Sequence, residues 1–167
     1  MRASPLALCL ALAAAAAHAQ VAPLDPDWRE ADAPPPPAVK VDGLIPLEMP
    51  RSNLRFGVDP ASVSLGNDGI VRYVVVATGE GGALNALYEA LRCDTGELKI
   101  YARYNPGGGW TVVKDSRWRD LRDAPGSGHG MAIARGGACV GRAPNRSAGQ
   151  IVRDLRAPVN RRFGQPK

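Results

Sequence analysis

Leu84-Asn85-Ala86-Leu87-Tyr88-Glu89-Ala90-Leu91-Arg92-Cys93 runs through Asp94-Thr95-Gly96 into Glu97-Leu98-Lys99-Ile100-Tyr101-Ala102-Arg103-Tyr104, and the fold turns on this stretch. Its first half admits two readings. Leu84, Leu87, Tyr88 and Leu91 recur at i, i+3, i+4 and i+7 in a composition of good helix propensity, which alone describes a helix. Asp94-Thr95-Gly96 has the form of a three-residue hairpin loop with glycine at the left-handed position, and such a loop requires a strand on both sides. Beyond it, Glu97 to Tyr104 alternates strictly, with Leu98, Ile100, Ala102 and Tyr104 on one face and charged residues with Tyr101 on the other.

On the C-terminal side, Asn105-Pro106-Gly107-Gly108-Gly109 feeds Trp110-Thr111-Val112-Val113, a last strand. On the N-terminal side, Ile70 to Val76 is β-branched and nearly continuously apolar, bounded by turns at Gly66-Asn67-Asp68-Gly69 and Gly79-Glu80-Gly81-Gly82, with a short strand at Ala61 to Leu65 before it. Turns at this spacing leave no room for parallel crossovers, which need about a dozen residues, so the expected fold is α+β, mainly β, around a five-stranded antiparallel meander. After it, Trp118-Arg119-Asp120-Leu121 begins an irregular return and Gly126-Ser127-Gly128-His129-Gly130 reads as loop. Ser147 with Gln150 gives a capping-box signal, and Ile151 and Leu155 share one face of a short helix that ends before Pro158.

The ends of the chain set the expected compartment. Arg2, the apolar run Leu6 to Leu12, and Ala17-His18-Ala19 have the three parts of a secretory signal cleaved after Ala19, and the run is too short for a bilayer span of about 20 residues. A periplasmic or secreted address follows as the expectation, with no transmembrane span in the mature chain. Cleavage removes Cys9 and leaves Cys93 and Cys139, an even count that reads as a disulfide in an oxidising compartment. Residues 20–40, with Pro34 to Pro37, form a proline-rich leader or linker; 41–139 form the disulfide-closed domain, and 140–167 a basic tail holding the short helix. The net charge of +5 is uneven: the tail carries +6, whereas residues 20–139 carry 13 basic and 15 acidic side chains. Attraction to an anionic surface is therefore expected of the tail.

Candidate chemistry is sparse. His129 is the histidine left after cleavage, and nothing adjacent fixes it as a general base for Ser127 or another serine. Cys93, Cys139 and His129 would give a zinc ion three ligands without paired spacing, in competition with the disulfide. The glycine clusters lack the lysine and Ser/Thr of a phosphate loop. Glu89 with Asp94 or Glu97 reads as solvated charge near a hairpin end. Arg72, Tyr73, Tyr88, Arg92, Tyr101 and Trp110 fall on adjacent strands and form a candidate interaction face, whose plainer reading is cross-strand packing.

The chain resembles the cryptic neisserial protein one-like family of exported proteobacterial proteins. The resemblance rests on Trp28-Arg29-Glu30, Leu44-Ile45-Pro46, Asp59-Pro60-Ala61-Ser62-Val63, Gly69 to Tyr73, Asn85 to Glu89, Leu91-Arg92-Cys93, Ile100-Tyr101-Ala102, Gly109-Trp110, Trp118, His129 and Cys139. It implies a strand at Leu84 to Cys93 and an exported address, and brings no activity. Two features depart from the family pattern: Ala138 stands where an aromatic usually precedes the last cysteine, and the basic tail looks like an addition. The expected function is a non-enzymatic, periplasmic or envelope-associated binding or interaction module, without cofactor or metal, whose partner is a protein or envelope component and not nucleic acid. The alternative is an envelope hydrolase with a site near His129. A polar cleft holding His129 against a carboxylate would favour the second, and an exposed apolar or aromatic face the first.

Overall fold

Val71–Thr78 and Leu84–Arg92 pair along their whole length, from Val71 opposite Leu91 to Thr78 opposite Leu84, so the ambiguous segment is a strand. Its helical spacing of leucines is overridden by the two partners that take its backbone hydrogen bonds. The computed structural model describes residues 24–49, 52–123, 126 and 128–157. The expected signal sequence and its cleavage site lie outside the described residues, as do Ser127, Arg161, Arg162 and Lys167.

In chain order the elements are β1 (Ile45–Leu47), β2 (Arg55–Val58), β3 (Ser64–Leu65), β4 (Val71–Thr78), β5 (Leu84–Arg92), β6 (Glu97–Asn105), β7 (Gly109–Val112), β8 (Arg119–Asp120), α1 (Gly128–Ile133), β9 (Cys139–Val140), β10 (Ala143–Pro144) and α2 (Ala148–Arg156). One antiparallel sheet holds the first eight strands in the order β1-β2-β4-β5-β6-β7, with β3 beside β4 and β8 beside β6; β9 and β10 pair separately. The five expected meander strands are β3 to β7. Added to them are β1 and β2, whose three and four residues include Pro46 and Gly57 and carry little alternation to read, and β8, which turns the irregular return into a sheet edge. The first expected strand is shorter than Ala61 to Leu65. There Asp59 accepts from the Ala61 amide and Ser62 bridges the Asp59 carbonyl to the Val74 amide, a turn that consumes the bonds a strand would need.

The strict alternation of β6 is broken. Tyr88 faces Ala102 but Glu89 faces Ile100, which leaves Tyr101 as an extra residue in a β-bulge. Leu98 and Ile100 therefore sit on one face of the sheet, and Ala102 and Tyr104 on the other, instead of all four together. The main core occupies the first face, where Val71, Tyr73, Val75, Leu91 and Leu98 meet Ile133 of α1 and Ile151 and Leu155 of α2. Because α2 supplies two fully buried side chains, the packed unit continues past Cys139 to residue 156. Ser147 caps α2 by accepting from the Gln150 amide, while the Gln150 side chain reaches Asp154 and does not return to the cap.

Cys93 and Cys139 form the disulfide, with Cα atoms 5.7 Å apart across 46 residues of sequence, which closes the return onto the end of β5. The hairpin ahead of β6 is Cys93 to Gly96, one residue longer than the sequence suggests, with Gly96 at φ 72°. Beyond α1, Ala134–Ala138 makes a wide π-type turn broken within by Gly137, whose φ is 141°. A Cβ there would lie 2.6 Å from that of Asp154, so glycine lets α2 dock.

Candidate functional site

Glu89 is fully buried at the middle of β5, and the expectation of a solvated hairpin charge fails here. Position 89 lies on the core face of a central strand, covered by a helix that no local signal announces. Gly128–Ile133 is that helix, α1, in place of the loop expected around His129. Its glycine at 130 lies against Leu98 and Leu121, where a Cβ would come within 3.0 Å of Leu121, and this close approach brings His129 down onto the sheet.

There His129 Nε2 lies 3.0 Å from both carboxylate oxygens of Glu89, while the Tyr73 hydroxyl donates to Glu89 Oε2 at 3.2 Å. An ionised carboxylate only accepts, so Nε2 carries the proton. Phe56 stacks on the imidazole with ring centroids 5.3 Å apart. Burial opposes charge on His129, but the bonded Glu89 carboxylate and the Gly126 backbone outweigh it, and its pKa is raised from the ordinary 6.5. Burial first, and then the Glu89 charge and hydrogen bond, push the Tyr73 hydroxyl well above its usual range.

Glu89 and His129 form part of the wall of an open cavity of about 250 Å³. Leu87, Leu98 and Ile100 supply its apolar surface, and Arg103, Arg117 and Arg119 its cationic one. Ser116 also lines it, but its hydroxyl donates to the Ile100 carbonyl at 2.5 Å and not to His129. The arrangement can hold a ligand against a hydrogen-bonded acid–imidazole pair. Among the described residues it does not set a nucleophile beside that pair, and no group of three metal-ligating side chains occurs among them.

The six residues of the expected interaction face divide between the two sides of the sheet. Tyr73 belongs to the main core with Glu89, because β4 alternates. Tyr88, Tyr101 and Trp110 gather on the other side, with Arg72 and Arg92 beside them. The leader covers that side. Glu30 accepts from Lys99 Nζ, the Tyr101 hydroxyl and Trp118 Nε1 at 2.8, 2.7 and 3.0 Å. Its carboxyl pKa is lowered: desolvation works against the charge, and the three donors exceed it. Arg72 donates to the Ala31 carbonyl as well as to Asp68, Trp110 Nε1 donates to the Pro37 carbonyl, and the Arg92 guanidinium lies 3.7 Å over the Trp28 ring. Sequence reasoning missed Glu89 and Glu30 as organising residues. The one signal for Glu89 is its period-2 register with Leu87 and Leu91, once the segment is known to be a strand.

No helix among the described residues is long and apolar enough to cross a membrane. No curated protein matches the chain, and no solved structure matches it. The family model for the CNP1-like family matches residues 24–156, from the leader through α2, so α2 falls within the family pattern and is not an addition to it. Glu30, Tyr73, Glu89, His129 and both cysteines lie inside that match, and the chain belongs to the CNP1-like family.

Proposed function

We propose that this domain is an exported, envelope-associated and non-enzymatic binding protein, whose ligand enters the cavity above Glu89 and His129. The observation that carries the reading is the cavity itself: a concave, part-apolar site of about 250 Å³ with a few convergent polar groups, just below the common ligand-pocket range of about 300–1,000 Å³. On the aromatic face, by contrast, Glu30 and Pro37 already occupy the donors of Lys99, Tyr101, Trp118 and Trp110. Export is supported by the signal-like start of the chain and by the disulfide, which persists in oxidising compartments. A screen of small molecules by amide chemical-shift mapping of the mature chain tests the reading. Shifts clustered at Leu87, Leu98, Ile100 and His129 are expected, and a screen in which no compound moves them would sink it.

The hydrolase reading is favoured by one observation, the His129–Glu89 hydrogen bond in a polar cleft. Turnover of ester or amide substrates that disappears in His129→Gln, with the fold retained, would establish it in place of simple binding.

A further inference from the structure

The three guanidinium groups at the cavity, on Arg103, Arg117 and Arg119, are ion-paired to none of the described residues, although Asp115 also lines the cavity. On the leader-covered side of the sheet, three cations have carboxylate partners: Arg72 has Asp68, Arg92 has Asp94 and Lys99 has Glu30. Glu89 cannot neutralise the arginines, because its two oxygens already accept from His129 and Tyr73. The cavity therefore presents an excess of positive charge over an apolar floor. Arginine forks are suited to planar acid groups, which they hold through two parallel hydrogen bonds.

The bulge at Tyr101 adds an independent argument. In a regular strand, residues two apart share a face, so Leu98 and Ile100 at the cavity would send Arg103 to the opposite, leader-covered side. The extra residue at Tyr101 reverses the parity, and Arg103 stands at the cavity with Leu98 and Ile100. Bulges that re-aim a single side chain are over-represented beside functional sites. Here the re-aimed side chain is a cation with no ion-pair partner among the described residues.

We infer that the cavity binds a small amphiphilic organic acid, with its anionic head among Arg103, Arg117 and Arg119 and a short hydrocarbon part on Leu87, Leu98 and Ile100. This assignment rests on the cavity being a ligand site, and it adds the chemical class. The volume limits the ligand to a small molecule, and the single layer of apolar side chains matches a short chain in place of a long acyl tail. The committed Glu89–His129 pair gives the floor a fixed polar end without adding free negative charge.

The test uses the mature full chain and three probes of matched length: hexanoate, hexanol and hexylamine. Hexanoate is expected to shift Leu87, Leu98, Ile100 and His129 saturably. Its affinity should weaken with added salt and fall about tenfold or more in Arg103→Gln/Arg117→Gln, a loss expected for one or more charge-assisted hydrogen bonds. Both positions are exposed, and an unchanged melting temperature shows that the variant still folds. Arg153→Gln, at an exposed position of α2 that does not line the cavity, serves as the charge control and should bind as the parent does. Binding of hexanol or hexylamine at these residues with hexanoate excluded overturns the acid assignment and leaves the cavity as a binding site. Failure of all three probes to reach the cavity overturns the assignment, while compounds found in the wider screen would still sustain the cavity as a site. Equal loss in Arg153→Gln, or no loss in the double variant, also overturns the assignment.

Discussion

The two faces of the sheet are built from the same alternating strands, yet they treat charge in opposite ways. On the face covered by the leader, Arg72, Arg92 and Lys99 each contact a carboxylate, and Glu30 gathers three donors from separate elements. On the helix-covered face, one acid and one imidazole are fully committed to each other inside the core, and the three cavity arginines face solvent. A long side chain that reaches water keeps its charge solvated at little cost, whereas a charge under another segment must find a partner there. The difference teaches where ligand chemistry can still occur: the leader face has already used its polar groups, and the cavity has not.

The sharpest way to break this comparison is to leave one member of the buried pair alone. His129→Leu should destabilise the domain by about 3–5 kcal/mol in denaturant unfolding, because the Glu89 carboxylate is left buried without its hydrogen-bonded imidazole. Replacing both residues with leucine in a Tyr73→Phe background, so that the Tyr73 hydroxyl is not stranded without its acceptor, should cost much less, since no buried polar group of the cluster is then orphaned. If the single and combined variants unfold alike, the pair does not have the buried, mutually compensating character assigned to it.

Opening the disulfide comes next. Cys93→Ser/Cys139→Ser should lose about 2–4 kcal/mol, with a closed loop of this length near the upper end in the chain-entropy model, and peptide mapping of the parent without reductant should recover the two cysteine peptides linked. On the opposite face, Glu30→Ala strands the donors of Lys99, Tyr101 and Trp118 at a half-buried site and should cost about 1–3 kcal/mol. It should also redden tryptophan emission, since Trp28 is part of the leader and Trp110 and Trp118 are hydrogen-bonded to it. Unchanged emission would mean that the leader stays seated without Glu30.

A finer effect is the pH dependence. His129 has a folded pKa above its ordinary 6.5, so the stabilisation of its protonated form is fully present below 6.5 and is lost as pH rises through the raised folded value. The melting temperature of the parent should decline over that window relative to His129→Gln, and parallel pH profiles would contradict it. The smallest expected effect belongs to the C-terminal charge. A chain ending at Ala157 keeps Ile151 and Leu155 and should melt as the full chain does, while losing part of any salt-sensitive retention on anionic vesicles with Arg161, Arg162 and Lys167. Equal retention would remove the tail as a surface-binding element.

Local signals made much of the fold legible in the sequence. The glycines at 69, 82, 96, 107 and 109 all adopt positive φ, at or beside the turns expected from them, and the β-branched run of β4 and the Ser147 cap of α2 stand where their residues place them. Each depends on backbone preferences within a few residues, whereas the pairing of Cys93 with Cys139, 46 residues apart, was legible only from the even count of cysteines left once the expected signal is set aside. The site was much less legible. His129 stood out by its scarcity, but Glu89 looked like any strand-borne acid.

What only the tertiary structure decided is the side on which each side chain falls and what covers it. The Tyr101 bulge exists because β5 pairs β6 in two registers, and it moves Arg103 to the cavity and Ala102 away from Leu98. Glu89 is buried because α1, 40 residues further along the chain, lowers His129 onto it, and Glu30 is held by donors 69 to 88 residues away. Turn and strand preferences are properties of neighbouring residues, so the sequence carried them; burial and ion pairing are properties of segments that meet only after folding, so they became visible only in the folded chain.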